Sequence, residues 1–334
     1  MKKNLFFPAV VLALLISGIG YTQEDFVPSG SPFAKIYFNY HADLSGNGNA
    51  FEIQRAYLGY KYNMSESFSG HITLDVGAPE VDINDSVTVG TSLEMTAFLK
   101  TAAVAYSHGN LTIEAGLIGL QQFKLQEKYW GRRYIYKSFQ DWTKMGPSAD
   151  LGAIVSYDFF DMLSADITVR NGEGYKKLQS DKAFNTALGV TLEPLKGLVF
   201  RGFFDYMKKD ESITTVSGFA GYKNDLLSVG AEYNVQMNYG DVADHTMKGL
   251  SFYAGVKLTK KIEVFGRFDN LASNTLNGET ENWNVGKNGN LLIAGIEYTP
   301  IKNVNLAFDY QGFIYADKDK DSKNLVYINF QYTF

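Results

Sequence analysis

The sequence predicts an all-β fold: a transmembrane antiparallel β-barrel of about sixteen strands, with short periplasmic turns, longer extracellular loops and one inward-folded constriction loop. Three observations predict it. Apolar residues recur with a period of two over segments of about ten residues. The connections between these segments alternate between short and long. Beyond the N-terminal segment, no apolar run reaches the roughly 20 residues of a membrane-spanning helix. Composition agrees, since 7 Pro, 32 Gly, 22 Tyr and 24 Phe suit long strands joined by turns. With no Cys, the chain has no disulfide framework, thiolate metal site or cysteine nucleophile.

The first stretch, MKKNLFFPAVVLALLISGIG, has Lys2 and Lys3, an apolar run from Leu5 to Ile16, then small residues at Ser17, Gly18 and Gly20. It reads as a cleaved secretory signal peptide over residues 1–20, leaving residues 21–334 for the barrel. Pro8 interrupts a run already short for a span. Loss of the two lysines takes the formal charge from −5 to −7, an acidic balance that argues against a nucleic-acid partner.

The strand segments follow in order. Those near 33–43, 51–63 and 68–77 precede 95–108, whose alternation is too poor to assign an inward face. Next come 111–120, 149–158 and 163–171, the last pairing Leu163, Ala165, Ile167 and Val169 on one face with Ser164, Asp166, Thr168 and Arg170 on the other. Segments 183–193 and 198–208 lead to 212–223, also poorly alternating. In 226–238, Val229, Ala231, Tyr233, Val235 and Met237 oppose Ser228, Gly230, Glu232, Asn234 and Gln236. After 248–259, 262–271 and 289–299 comes 303–315, with Val304, Leu306, Phe308 and Tyr310 opposite Asn305, Ala307, Asp309 and Gln311. The final segment, 324–334, ends INFQYTF, with Ile328, Phe330, Tyr332 and Phe334 on the lipid side and Asn329, Gln331 and Thr333 on the wet side. Its edge is expected to close on the first strand.

NMSES, HGN, DFFDM, PLKG, KND, TKK and PIKN are the short connections. The longer, more polar set is 44–50, 78–94, 121–148, 172–182, the brief 209–211, 239–247, 272–288 and 316–323. An even strand number places both termini on the periplasmic side. A soluble β-sandwich also alternates, but it carries about seven strands and no mid-strand charge series. The aromatics Tyr60, Tyr62, Tyr157, Tyr298, Tyr310 and Tyr332 fall near strand ends, where a membrane interface favours them.

A barrel of this size is too wide for side chains to fill, so an aqueous passage is expected. Its candidate regulator is QQFKLQEKYWGRRYIYKSFQDWTKMGPS, 121–148, the longest connection. Lys124, Lys128, Arg132, Arg133, Lys137 and Lys144 face only Glu127 and Asp141, a net of +4 in an acidic chain. Phe123, Tyr129, Trp130, Tyr134, Tyr136, Phe139 and Trp142 are interleaved as anchors. Folded inward, the six basic residues become anion contacts, with the two arginines able to grip phosphate or carboxylate bidentately. The expected lumen wall is mixed, with cross-strand pairing: Arg55, Lys61, Arg170, Arg201, Lys257 and Arg267 beside the more numerous Asp75, Glu114, Asp150, Asp166, Glu193, Asp205, Glu232, Glu263, Asp269, Glu297 and Asp309.

Catalytic residues are not expected. His71 shares a face with Ser69 and Asp75, and Asp241, Asp244 and His245 share a loop, but neither arrangement rises above chance in a polar lumen, so a barrel hydrolase is the minor reading. No cofactor or metal site is called for. DKDKD resembles the opening of a calcium loop at Asp317, Asp319 and Asp321, yet Ser322 and Ile328 replace its glycine and closing glutamate. A solvated loop is expected, with weak divalent binding left open. A non-conducting barrel serving as adhesin or structural partner is the alternative to a channel.

FEIQRAYLGYKYNMSESFSGHITLDVG (51–77), with Arg55 and Gly59, resembles the second and third strands of the phosphate-selective porin O/P type and related Bacteroidetes-type porins. YWGRRYIYKSFQD (129–141), followed by SADLG, resembles the constriction loop and next strand of that group. The resemblance implies a homotrimeric sixteen-stranded diffusion channel for small polar or anionic solutes, set in outer-membrane lipid and lipopolysaccharide. Phe330, Tyr332 and Phe334 likewise resemble the C-terminal signal read by the barrel assembly machinery. The phosphate-selective members line their pore with a ladder of lysines and arginines. Here the strand-borne basic residues are scattered and outnumbered by carboxylates, which points to a general porin or one for small anionic or polar nutrients.

Overall fold

The structure, a computed structural model, describes residues 26–46, 48–77 and 95–334. The expected export signal and connection 78–94 lie outside those residues. Sixteen strands close into one antiparallel barrel. They are β1 (Ser29–Asp43), β2 (Asn49–Asn63), β3 (Phe68–Gly77), β4 (Thr96–His108), β5 (Leu111–Gly119), β6 (Ala149–Phe160), β7 (Leu163–Arg170) and β8 (Asn185–Leu195). The second half comprises β9 (Leu198–Lys208), β10 (Ser212–Lys223), β11 (Leu227–Met237), β12 (Met247–Lys257), β13 (Ile262–Ser273), β14 (Gly289–Tyr298), β15 (Val304–Tyr315) and β16 (Lys323–Thr333). Each strand pairs with its neighbours in sequence and β1 with β16, so among the described residues no strand is left with an open edge.

Closure joins β1 to β16. Phe38 stacks on Phe330 with ring centres 4.6 Å apart, and Ala34 and Phe334 exchange backbone hydrogen bonds of 2.9 and 3.1 Å. Alternation sorts the side chains as the pleat requires. In β7, Asp166, Thr168 and Arg170 are buried in the lumen, whereas Ile167 between them is 53% exposed on the outside. In β9, Phe200, Phe204 and Tyr206 are exposed around buried Arg201, Phe203 and Asp205. So extensive an apolar exterior suits hydrocarbon rather than water.

Four strand pairs shift register, at Tyr37/Phe38, Thr73/Leu74, Asp158/Phe160 and Leu192/Leu195, and the first two bear on the lumen. Tyr37 pairs with Arg55 but Phe38 with Ile53, which leaves Gln54 as an extra residue in β2. Thr73 pairs with Thr101 but Leu74 with Leu99, which leaves Lys100 extra in β4. These are β-bulges, which re-aim side chains and defeat a period-two reading locally. The poor alternation of segment 95–108 has this cause.

Candidate functional site

Between β5 and β6 the chain enters the barrel rather than leaving it. A short helix, α1 (Lys124–Trp130), descends first; a single helical turn, α2 (Phe139–Trp142), lies on the way back. Along α1, Gln126, Tyr129 and Trp130 recur at helical spacing on the buried face, while Lys124 and Lys128 stay exposed. Gly131, at φ 70°, ends the helix in the left-handed region and donates its N–H to Glu127. The Tyr129 hydroxyl donates to the carbonyl of Gly197, in the short turn after β8, at 3.1 Å. The segment therefore reaches from the long-loop rim to the short-turn rim.

It lies against an inner wall that departs from simple alternation. Val199, Phe219, Tyr253, Phe265, Leu291, Ile293 and Ala307, on β9 to β15, form one buried cluster with Tyr129, Trp130, Tyr134 and Ile135. Tyr129 meets Phe219 at 5.6 Å between ring centres, and Trp130 meets Tyr253 at 5.6 Å and Phe265 at 6.0 Å. Glycine makes room for these rings. A Cβ on Gly221 would come within 2.7 Å of Tyr129, and one on Gly249 within 2.3 Å of Phe139.

Buried backbone carbonyls of the segment need donors, and the wall supplies them. The Tyr253 hydroxyl donates to Gln126 (2.9 Å), Ser228 to Tyr129 (2.7 Å), Arg267 to Lys137 (2.6 Å), Gln236 to Met145 (2.8 Å) and Tyr239 to Thr143 (2.9 Å). Arg132 is buried at the bottom, 2.6 Å from Glu263 and 3.6 Å from Glu297, with its guanidinium 4.6 Å from the Phe265 ring centre. Tyr134 donates to Glu297 as well, and burial first, then that carboxylate, holds its phenol protonated far above the ordinary range.

The opposite side is open. A cavity of about 570 Å³ lies between the returning leg and the inner faces of β2, β4, β7 and β9. Nine basic side chains and five carboxylates line it. Three of the guanidiniums are committed: Arg55 to Asp75 (3.5 Å), Arg170 to Asp205 (3.0 Å) and Arg133 to both Asp141 (3.2 Å) and Glu127 (3.5 Å). Among the described residues, Lys100, Lys144 and Lys177 have no carboxylate at ion-pair distance. Burial would weaken the Arg133 cation, but Tyr57, Asp141 and Glu127 outweigh it and hold its proton more firmly than usual. Burial raises the Glu127 carboxyl, an effect only partly offset by Arg133.

The fold thus divides residues that the sequence grouped together. Arg133, Lys137 and Lys144 line the cavity; Arg132 is held by two glutamates at a separate, smaller cavity of about 130 Å³, and Lys124 and Lys128 lie outside the larger one. Arg55, Asp75, Arg170 and Asp205 also line it. Arg201 spans from β9 to Asp166 on β7 at 2.7 Å, passing over Gly189 of β8, where a Cβ would collide with it. Arg267 and Asp269 face inward but are covered, with Arg267 5.2 Å from the Trp130 ring centre. Lys61 is exposed on the inner face near the short-turn rim and Glu114 is half-buried opposite Ala105. Asp317, Asp319 and Asp321 belong to the exposed turn before β16. Lys100, Tyr57 and the Tyr175, Lys176, Lys177 run escaped the sequence reading. The β4 bulge hid the first, while GYKK, basic and aromatic within connection 172–182, was a visible signal for the last three.

No protein-family model and no curated protein sequence matches the chain. Solved structures do. Salmonella typhi OmpF, in complex with daunomycin, is similar at 14% identity and a TM-score of 0.68, covering 91% of this chain and 97% of that one. The outer membrane channel DcaP of Acinetobacter baumannii is similar at 11% identity and 0.64, covering 95% and 100%. The anion-selective porin of Comamonas acidovorans is similar at 12% identity and 0.63, covering 92% and 100%. At these identities the likeness is one of fold: the closed sixteen-stranded barrel of outer-membrane porins.

Proposed function

We propose that this chain is an outer-membrane porin through which small hydrophilic solutes diffuse passively, with preference for anions. The observation that carries the reading is the asymmetric lumen, in which residues 121–148 cover one wall and leave beside them a cavity of about 570 Å³ whose lining is richer in bases than in carboxylates. Such a lining raises the local concentration of anions and lowers that of cations. Export by a signal peptide over residues 1–20, insertion by the barrel assembly machinery through Phe330, Tyr332 and Phe334, surroundings of lipid and lipopolysaccharide, and a homotrimer belong to the same reading. Arg55, Lys100, Arg133, Lys137, Lys144 and Arg170 are the residues assigned to the passage. The committed guanidiniums support a general anion route rather than a phosphate-specific one.

Reconstitution into planar bilayers tests this. Stepwise conductance is expected, with a reversal potential in a potassium chloride gradient that favours chloride. A closed barrel that conducts nothing contradicts the channel, and a potassium-favouring reversal potential contradicts the anion preference.

A further inference from the structure

Given an anion-favouring passage as proposed above, the cavity wall bears on which anions it suits. Phosphate is held best by guanidinium forks offering paired N–H donors. The three guanidiniums of the cavity already hold Asp75, Asp205 and the Asp141 and Glu127 pair. Beside them the ammonium of Lys100, with no carboxylate at ion-pair distance among the described residues, sits among aromatic rings. Lys100 faces inward at the β4 bulge, where its Nζ lies 4.5 Å from the Tyr57 ring centre and 5.5 Å from that of Tyr175. Lys176 lies 5.2 Å from Phe98 and 5.8 Å from Tyr175. Phe98 meets Tyr175 edge-on at 6.4 Å. The Tyr175 hydroxyl is tied to Asp75, which itself holds Arg55, so the rings are fixed rather than free. Met145, Pro147, Met207 and Ile213 line the same cavity with apolar surface.

An inorganic ion gains nothing from such surface, whereas a flat apolar body does, and ring pairs add to what area burial alone provides. The volume of about 570 Å³ falls inside the range of small-molecule sites, about 300–1,000 Å³. We infer that Lys100, Lys176, Tyr57 and Tyr175 form a binding site within the passage for a small aromatic carboxylate. Lys100 takes the carboxylate, and the tyrosine rings and facing apolar side chains receive the aryl body.

The test is titration of benzoate, acetate and inorganic phosphate against the chloride current of the full-length protein in bilayers. Benzoate is expected to halve the current at a concentration about tenfold below that of acetate or phosphate, a tenfold difference being about 1.4 kcal/mol. Lys100→Gln raises the benzoate concentration needed by about tenfold. Tyr175→Leu weakens benzoate alone and leaves acetate unchanged, with Tyr57→Leu as the second variant if the first fails to assemble. Equal potency of benzoate and acetate, or benzoate block unmoved by these changes, overturns the site while leaving the channel intact. A potassium-favouring reversal potential in the native protein instead overturns the anion route on which the site depends.

Discussion

The two inner walls of this barrel are built from the same alternating strands and do different things. On β9 to β15 the inward positions include Phe219, Tyr253, Phe265, Leu291 and Ile293, and the segment between β5 and β6 is laid over them. On β2, β3, β4 and β7 the inward positions include Arg55, Asp75, Lys100 and Arg170, and all four line the cavity. An apolar face turned toward the lumen requires a cover, because exposed rings in water forfeit the free energy of burial. A charged face requires partners instead, and the cross-strand and loop carboxylates provide most of them. The cavity therefore lies along the wall that the loop leaves uncovered.

Breaking the covered wall has the largest expected effect. Trp130 is fully buried against Tyr253 and Phe265 and donates from Nε1 to the Tyr136 carbonyl at 3.0 Å. Trp130→Ala is expected to cost about 3 kcal/mol or more in chemical unfolding, as for other buried large-to-small changes. It is also expected to release the segment, giving larger and noisier unitary currents. Tyr57→Ala, on the open wall, costs much less. Equal losses for the two would mean that the walls do not differ in the way described.

A smaller effect sharpens the open side. The Glu127 carboxyl is raised first by burial, with Arg133 lowering it, Asp141 raising it again, and Lys100 and Lys35 also within its field. A raised carboxyl takes up its proton before ordinary carboxylates do as pH falls. Negative charge then leaves the side of Arg133, so chloride preference should rise on mild acidification. Glu127→Gln should show the higher preference already at neutral pH and a flatter dependence below it. An unchanged pH profile in that variant would assign the effect to another group.

Much of this was legible in the sequence. The sixteen strands follow from alternation and turn spacing, because a one-residue slip would put every charged lumen residue into lipid. The length, +4 charge and ring content of 121–148 marked it as the segment to watch. Its docking wall left a trace too: Leu291 to Ile296 in β14 is apolar on both faces, as a strand covered on both sides must be. Less was legible where geometry breaks the period. Lys100 and buried Thr101 are neighbours that share the inward face because a bulge lies between them, and no periodicity can announce that. Arg132 and Arg133 are neighbours of one type, and only the closure of Gly131 and the position of Glu263 decide that one is buried against glutamates and the other lines the larger cavity.

Those two arginines provide the most direct measurement. Arg133→Ala leaves Asp141 and Glu127 uncompensated beside the cavity, whereas Arg132→Ala removes a buried partner of Glu263 and Glu297 away from it. In a potassium chloride gradient, Arg133→Ala is expected to move the reversal potential toward potassium. Arg132→Ala is expected to leave it near the native value while lowering stability by roughly 3 kcal/mol, as breaking a buried ion pair does. Equal shifts of the reversal potential in both variants, or a shift in Arg132→Ala alone, would contradict the division of the lumen into an anchoring wall and a conducting one.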